Sequence, residues 1–229
     1  MTEIFSNSYL NIIQNVKSPH VYSIYFETSN PILIHSLIKT HILRGATYSD
    51  DYTSIRFTAY SVQKFNDTLK TNMPTQKVAT MVATLGAQLK YMEDEYCHTF
   101  LGFNTENIIV IDEKYVFLDV EMLVEIDDKN NTTMIYSVDG LGDTFLSPEL
   151  KNIRGFPIKV HYKVAYFSLG CLLCYALLGD HTFYKEYLSS ESNSIIHFLD
   201  VHPIKDTKLY WLLERCLIEE PEKRSIIFI

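Results

Sequence analysis

Positive charge is scarce in this chain, and so are glycine, paired cysteines and long apolar runs. Against 28 Asp and Glu stand only 20 Lys and Arg, a formal charge of −8. A general nucleic-acid binder needs phosphate-neutralising Lys and Arg on one face, so nucleic acid is not an expected partner. The same balance argues, more weakly, against an anionic membrane surface. No run reaches the roughly 18 apolar residues of a membrane span. The opening MTEIFSNSYL has neither the basic region nor the apolar stretch of a signal peptide. Cys97, Cys171, Cys174 and Cys216 show no CxxC…CxxC spacing. Cys171 and Cys174 do form a CxxC, but inside the apolar run LGCLLCYALLG, which reads as buried helix cysteines and not as a metal or redox site. Reduced thiols suit an intracellular, cytoplasmic protein. HExxH, GxSxG, Walker A and EF-hand patterns are all missing, and the histidines are scattered.

What is present describes a folded chain. The hydrophobic fraction is 47%, well above that of a disordered sequence. At 229 residues there is room for one large domain or two small lobes. The runs Val21–Phe26 and Ser54–Tyr60 are rich in β-branched and aromatic residues and predict strands. Between them Pro31–Leu43 has apolar residues at helical spacing, with Pro31 near its start and Gly45 just past its end. Thr75–Tyr96 predicts a long helix whose stripe is Val78, Met81, Val82, Leu85, Leu89 and Met92. ENIIVID and YVFLDV, split by Glu113-Lys114, predict a small hairpin. Residues 121–145 are polar and irregular, with an acidic run at Glu125, Asp127 and Asp128 that reads as a solvated loop. Helices are predicted at about Tyr162–Leu178, Ser192–Asp200 and Thr207–Leu217. Sheet first and helices later predicts an α+β chain of two lobes, residues 1–60 and 61–229, joined near Ser61–Asn66.

Three phrases carry more specific information. Ser147-Pro148-Glu149 is preceded by Gly142; Ala165-Tyr166-Phe167-Ser168-Leu169-Gly170 opens an apolar helix; and CLIEEPEKR ends in Arg224. Together they resemble the C-lobe of protein kinases, where the peptide-binding segment ends in A-P-E, a helix carries D-x-W-S-x-G, and C-L-x-x-D-P-x-x-R supplies an Arg that pairs with the Glu. GDHTFY, from Gly179, is similar to the family's G-x-x-P-F. The resemblance runs over residues 20–227 and is densest from residue 104. It implies a kinase-like bilobal fold with a reduced N-lobe and a mainly helical C-lobe. It also implies structural roles for Pro148, Phe167 and Gly170, and a buried ion pair between Glu149 and Arg224. Bidentate Arg–carboxylate pairing tolerates burial better than other ion pairs. TENIIVID, FLSPEL and YFSLGCLLCYALL also resemble, more loosely, kinase-like proteins of large nucleocytoplasmic DNA viruses. A host cytoplasm or a virion would then be the setting.

The catalytic half of the pattern is eroded. Kinase catalysis is mostly positioning and electrostatics, through a base Asp, metal-holding Asn and Asp residues, a strand Lys and a helix Glu. Counting back from Asn107 in the family's H-R-D-x-x-x-x-N, the base falls on Gly102, flanked by Leu101 and Phe103. His98 lies outside the register and reads as a helix-end histidine. The D-F-G position reads Asp119-Val120-Glu121, and the strand Lys position falls on Tyr25, an apolar plug for the adenine or phosphate space. The helix Pro31–Leu43 contains no Glu, and no Gly precedes Gly45 to make a phosphate loop. Ala165 replaces an Asp that holds the catalytic loop. Thr132, Thr133, Tyr136 and Ser137 lack a phosphate-docking Arg, because that position is Leu101. The resemblance therefore implies a pseudokinase without a cofactor, acting as a protein-interaction, regulatory or scaffold module. Two alternatives stay open. One is an atypical nucleotide-binding protein or phosphotransferase that uses Asp119 and Asn107 for Mg or Mn and weakly bound ATP. The other is a structural subunit of a viral assembly.

Overall fold

The computed structural model describes residues 2–69, 72–137, 141, 144–179, 199–200 and 203–226. It is an α+β fold with antiparallel sheets. The first sheet takes β1 (Thr2–Ser6), β2 (Leu10–Gln14), β3 (Val21–Phe26), β4 (Arg44–Tyr48) and β5 (Ser54–Thr58) in the order β1-β2-β3-β5-β4. Helix α1 (Pro31–Lys39) lies between β3 and β4, capped by the Asn30 side chain, which accepts the Leu33 N–H. It lays Leu33, Ile34 and Leu37 into the same core as Ile12, Ile24 and Ile55.

The helix stops four residues short of the predicted Leu43. Thr40 caps it, His41 turns to φ 56°, and Gly45 (φ 56°) sits inside β4 rather than at a helix end. The strands β1, β2 and β4 went unpredicted. Their apolar content is modest, and the sheet rather than local pattern holds them.

A second, three-stranded sheet follows, in the order β6-β8-β9, from β6 (Val62–Lys64), β8 (Ile108–Ile111) and β9 (Lys114–Phe117). Sheet membership thus changes between Thr58 and Val62, after which a short α2 (Phe65–Thr68) leads away. Helix α3 (Thr75–Tyr96) has the predicted bounds, and its whole apolar stripe is buried. The predicted hairpin is β8–β9, but its turn is Asp112-Glu113, both at positive φ, while Lys114 pairs with Ile111. Asp112 Oδ1 accepts the Tyr60 and Ser61 N–H groups and so ties this turn to the end of the first sheet.

Two small ladders correct the expectation of an irregular stretch at 121–145. β10 (Leu123–Glu125) pairs with β7 (His98–Phe100), and β11 (Thr132–Ile135) pairs with β12 (Ile158–His161). These segments lack strong β patterning because their partners lie far along the chain. The acidic loop between them folds on itself: Asp127 accepts from the Lys129 N–H and from the Asn130 amide.

After α4 (Pro148–Lys151) come α5 (Val164–Leu178) and α6 (Lys208–Cys216), the latter capped by the Thr207 hydroxyl. Gly170 is where these two helices touch. A Cβ there would fall 2.9 Å from Cys216 Cβ and 3.1 Å from Leu217 Cδ2. Cys171, Cys174 and Cys216 are buried free thiols in that contact region. Of the helix predicted at Ser192–Asp200, only Leu199 and Asp200 lie within the described residues. Gly142 and the stretch from Asp180 to Tyr184 lie outside them. Among the described residues no helix is long and apolar enough to cross a membrane.

Candidate functional site

The site is assembled where the second sheet meets the loop 101–107. On α3 the buried Gln88 amide donates to the Phe117 carbonyl (2.9 Å) and accepts the Phe117 N–H (3.0 Å). That two-way grip fixes the end of β9, and the Leu118 N–H then bonds the Asn107 carbonyl at 2.9 Å. Asp119 is thereby delivered into a buried position one residue on.

Its carboxylate is fully engaged. Oδ2 accepts the side-chain amides of Asn104 (3.0 Å) and Asn107 (2.6 Å), and Oδ1 accepts the backbone N–H groups of Glu121 (3.1 Å) and Met122 (3.3 Å). Those four bonds use all four lone-pair sites of a carboxylate. Burial pushes the Asp119 carboxyl above the usual carboxylate range, and the four bonds pull in the opposite direction. Asn104 went unnoticed in the sequence. Its signal was its place three residues before Asn107, since its Oδ1 also accepts the Asn107 N–H at 2.9 Å.

Both ends of the Asn107 amide are engaged too. Its nitrogen serves Asp119, and its oxygen accepts the Asn7 amide at 3.1 Å. Asn7 lies in the β1–β2 turn, 100 positions away, so nothing local in the sequence announces it. Two residues on, the Tyr9 hydroxyl donates to Glu121. That bond, first among several causes, holds the Tyr9 phenol above its ordinary range.

The open alternative would place ATP with a divalent cation on Asp119 and Asn107. As arranged, these residues do not fit it, because Asp119 Oδ2 already accepts two N–H donors and Asn107 Oδ1 is turned to the Asn7 amide.

Gly102, where the resemblance places a general base, has no room for a side chain as its neighbours stand. A Cβ built there would lie 2.4 Å from Thr144 Cγ2, 3.1 Å from Ser168 Oγ and 3.5 Å from the Phe145 carbonyl. Leu101 and Phe103 on either side are buried, and Phe103 packs on Phe100 and Phe117 with ring centroids 5.6 and 4.8 Å apart. His98 bonds the Tyr96 carbonyl at the end of α3 and takes no part. No family model matches this chain, and no curated protein is significantly similar to it.

The loop 101–107 is held from α5, where the Ser168 hydroxyl, one helical turn beyond Ala165, accepts the Phe103 N–H at 2.7 Å. Tyr25 does not lie on the helix side of its sheet. Along β3 the buried side chains are Tyr22, Ile24 and Phe26, which share their core with α1, while Tyr25 is 41% exposed. Side chains alternate across a strand, so Tyr25 points to the opposite face. There it lines a shallow cavity of about 230 Å³ with Ser23, Asn15 and Arg56. Ile24 and Phe26 occupy the face toward the helix, where neither could hold a phosphate.

The structure brings Glu149 and Arg224 together, with Nη2 donating to Oε1 at 2.7 Å. The contact is single rather than bidentate, because the other donors are used elsewhere. Nε bonds the Ile218 carbonyl (2.7 Å), Nη1 the Lys163 carbonyl (3.4 Å), and Nη2 also the Glu219 carbonyl (2.7 Å). The guanidinium lies 5.0 Å from the centre of the Phe167 ring, and Pro148 opens the short helix that carries Glu149. A second buried carboxylate escaped notice in the sequence. Glu93 on α3 accepts the Tyr166 hydroxyl at 2.7 Å and the Lys90 ammonium at 3.2 Å, linking α3 to α5. Burial pushes its carboxyl up, and burial beside it pushes the Tyr166 phenol up as well.

Proposed function

We propose that this chain is a catalytically inactive, protein kinase-like module, bilobal with residues 1–60 as a reduced N-lobe and 61–229 as the C-lobe. It acts by presenting surfaces to a protein partner as a regulator or scaffold. The observation that carries the reading is the packing at Gly102, which leaves no volume for a general base beside an otherwise ordered loop. The saturated Asp119 carboxylate, the uncharged helix-facing positions Ile24 and Phe26, and the exposed Glu121 support it in the same direction. Losing a general base removes about 10²–10⁴ in rate, and losing phosphate clamps removes more. Yet the elements that would support those groups are kept: the Arg224 anchor, the Ser168 tie and the Gln88 grip. Framework without chemistry is what an interaction module requires. On this reading its setting is intracellular, which unpaired thiols suit.

A thermal-shift titration with ATP and Mg²⁺ or Mn²⁺ tests the nucleotide side of this reading. The expected shift at millimolar ATP is below about 1 °C, which corresponds to a dissociation constant no tighter than about millimolar. A shift of several degrees that Asp119→Ala abolishes would favour an atypical nucleotide-binding protein instead. A pull-down from the native source separates a regulatory partner from the shell or scaffold of a viral assembly.

A further inference from the structure

We propose that the β1–β2 turn is a built-in strap: Asn7 and Tyr9 hold the first sheet down on the Asn107–Asp119 site and keep a divalent cation out of it. This inference rests on reading Asp119 and Asn107 as degenerate metal positions.

The turn is made stiff by its own chemistry. Asn7 Oδ1 accepts the N–H groups of Tyr9 (2.9 Å) and Leu10 (3.0 Å), and the Asn7 N–H bonds the Leu10 carbonyl at 3.0 Å. A side-chain oxygen committed to two backbone donors leaves only the amide nitrogen free to point outward. That nitrogen meets Asn107 Oδ1. Asn107 is oriented from its other end, since a carboxylate accepts only from its nitrogen. The relay Asn7 to Asn107 to Asp119 therefore has a single direction, fixed at one end by backbone N–H groups and at the other by a negative charge. A cation would need Asn107 Oδ1 and Asp119 Oδ2 together. The relay turns Asn107 Oδ1 to Asn7 and its N–H to Asp119. Releasing it lets Asn107 present Oδ1 beside Oδ2, which then keeps only the Asn104 amide.

The second fastening is independent of the first. The Tyr9 hydroxyl reaches Glu121, directly after the 119–120 pair, and the Tyr9 carbonyl is tied into the sheet by the Glu27 N–H at 2.8 Å. Pulling Tyr9 away thus means moving the sheet itself. The lack of glycine near the turn fits this role, because a flexible loop would drape over a ligand while a rigid one substitutes for it.

Hydrogen exchange and Mn²⁺ binding on the full chain test the strap. Asn7→Ala with Tyr9→Phe removes both fastenings, one of them to a charged group. Amide exchange in residues 104–122 and in the hairpin is expected to rise about tenfold or more. The double variant should then bind Mn²⁺, read from the loss of the free-ion EPR signal, and Asp119→Asn should abolish that binding. The wild-type chain should bind none. Tyr9→Phe alone deletes one oxygen and leaves the Asn7 turn intact, so its exchange remains readable if the double variant folds poorly. Unchanged exchange in both variants overturns the strap. Faster exchange without Mn²⁺ binding overturns the exclusion of a cation. Mn²⁺ binding by the wild-type chain refutes the degenerate-site reading itself, a different failure from either of these.

Discussion

Replacing Arg224 with alanine should lower stability by about 3–5 kcal/mol, a fall of roughly 6–20 °C in Tm for a chain of this size. Arg224 has no exposed surface. Its guanidinium satisfies Glu149 and the carbonyls of Lys163, Ile218 and Glu219, so one truncation strands four oxygens at once. Among the described residues Glu149 Oε2 already lacks a partner, so the carboxylate would keep no hydrogen bond on either oxygen. Arg224→Lys should not rescue the loss, since a point ammonium cannot span acceptors placed for a planar fork. Glu149→Gln should be milder than either, about 1 kcal/mol, because its amide keeps an oxygen acceptor for Nη2. Denaturant titrations of the three variants measure these differences. An Arg224→Ala protein melting with the wild type would show that the pair does not anchor the C-terminal helices.

Gly102→Asp should neither confer phosphotransfer nor fold well. The new Cβ would sit 2.4 Å from Thr144 and 3.1 Å from Ser168 Oγ. Relieving that overlap costs about 1–3 kcal/mol through overpacking. A carboxylate placed between the buried Leu101 and Phe103 adds several more, with no cation beside it. Ser168 would have to give way, and with it the bond that holds the Phe103 N–H. A loss of about 3 kcal/mol or more by denaturant titration is expected, without label transfer from ATP. A variant as stable as wild type would mean that the loop accommodates a base, and the packing argument at the heart of the functional reading would fall.

The residues that were legible in the sequence are those whose partners are periodic or close by. The α3 stripe repeats at helical spacing, and the β8–β9 hairpin has its strands side by side in the chain. Glu149 and Arg224 were legible for another reason, since each sits in a phrase that resembles a known pattern. Other features depend on geometry that spacing does not encode. The face that Tyr25 takes is one, because strand parity is fixed by pairing to β2 and β5, with Asn11 and Ser54 as its partners. The bond from the Phe103 N–H to Ser168 is another, because 65 positions separate the two. Asn7 meets Asn107 only through the closure of the first sheet onto the second, across a separation of 100 residues. The turn that makes this contact was illegible twice over, because β1 and β2 were themselves unpredicted.

The most direct measurement is transfer of label from γ-labelled ATP to the purified chain and to generic protein substrates, with Mg²⁺ and with Mn²⁺ in turn. The neighbours of Gly102 fill the space a base would need, the β3 side chains toward α1 are the uncharged Ile24 and Phe26, and Asp119 spends its oxygens on four N–H donors. The account predicts incorporation no greater than in a protein-free blank under either metal. Incorporation above the blank that disappears in Asp119→Ala would contradict it, because the phosphate would then be moving through the one carboxylate held to be inert.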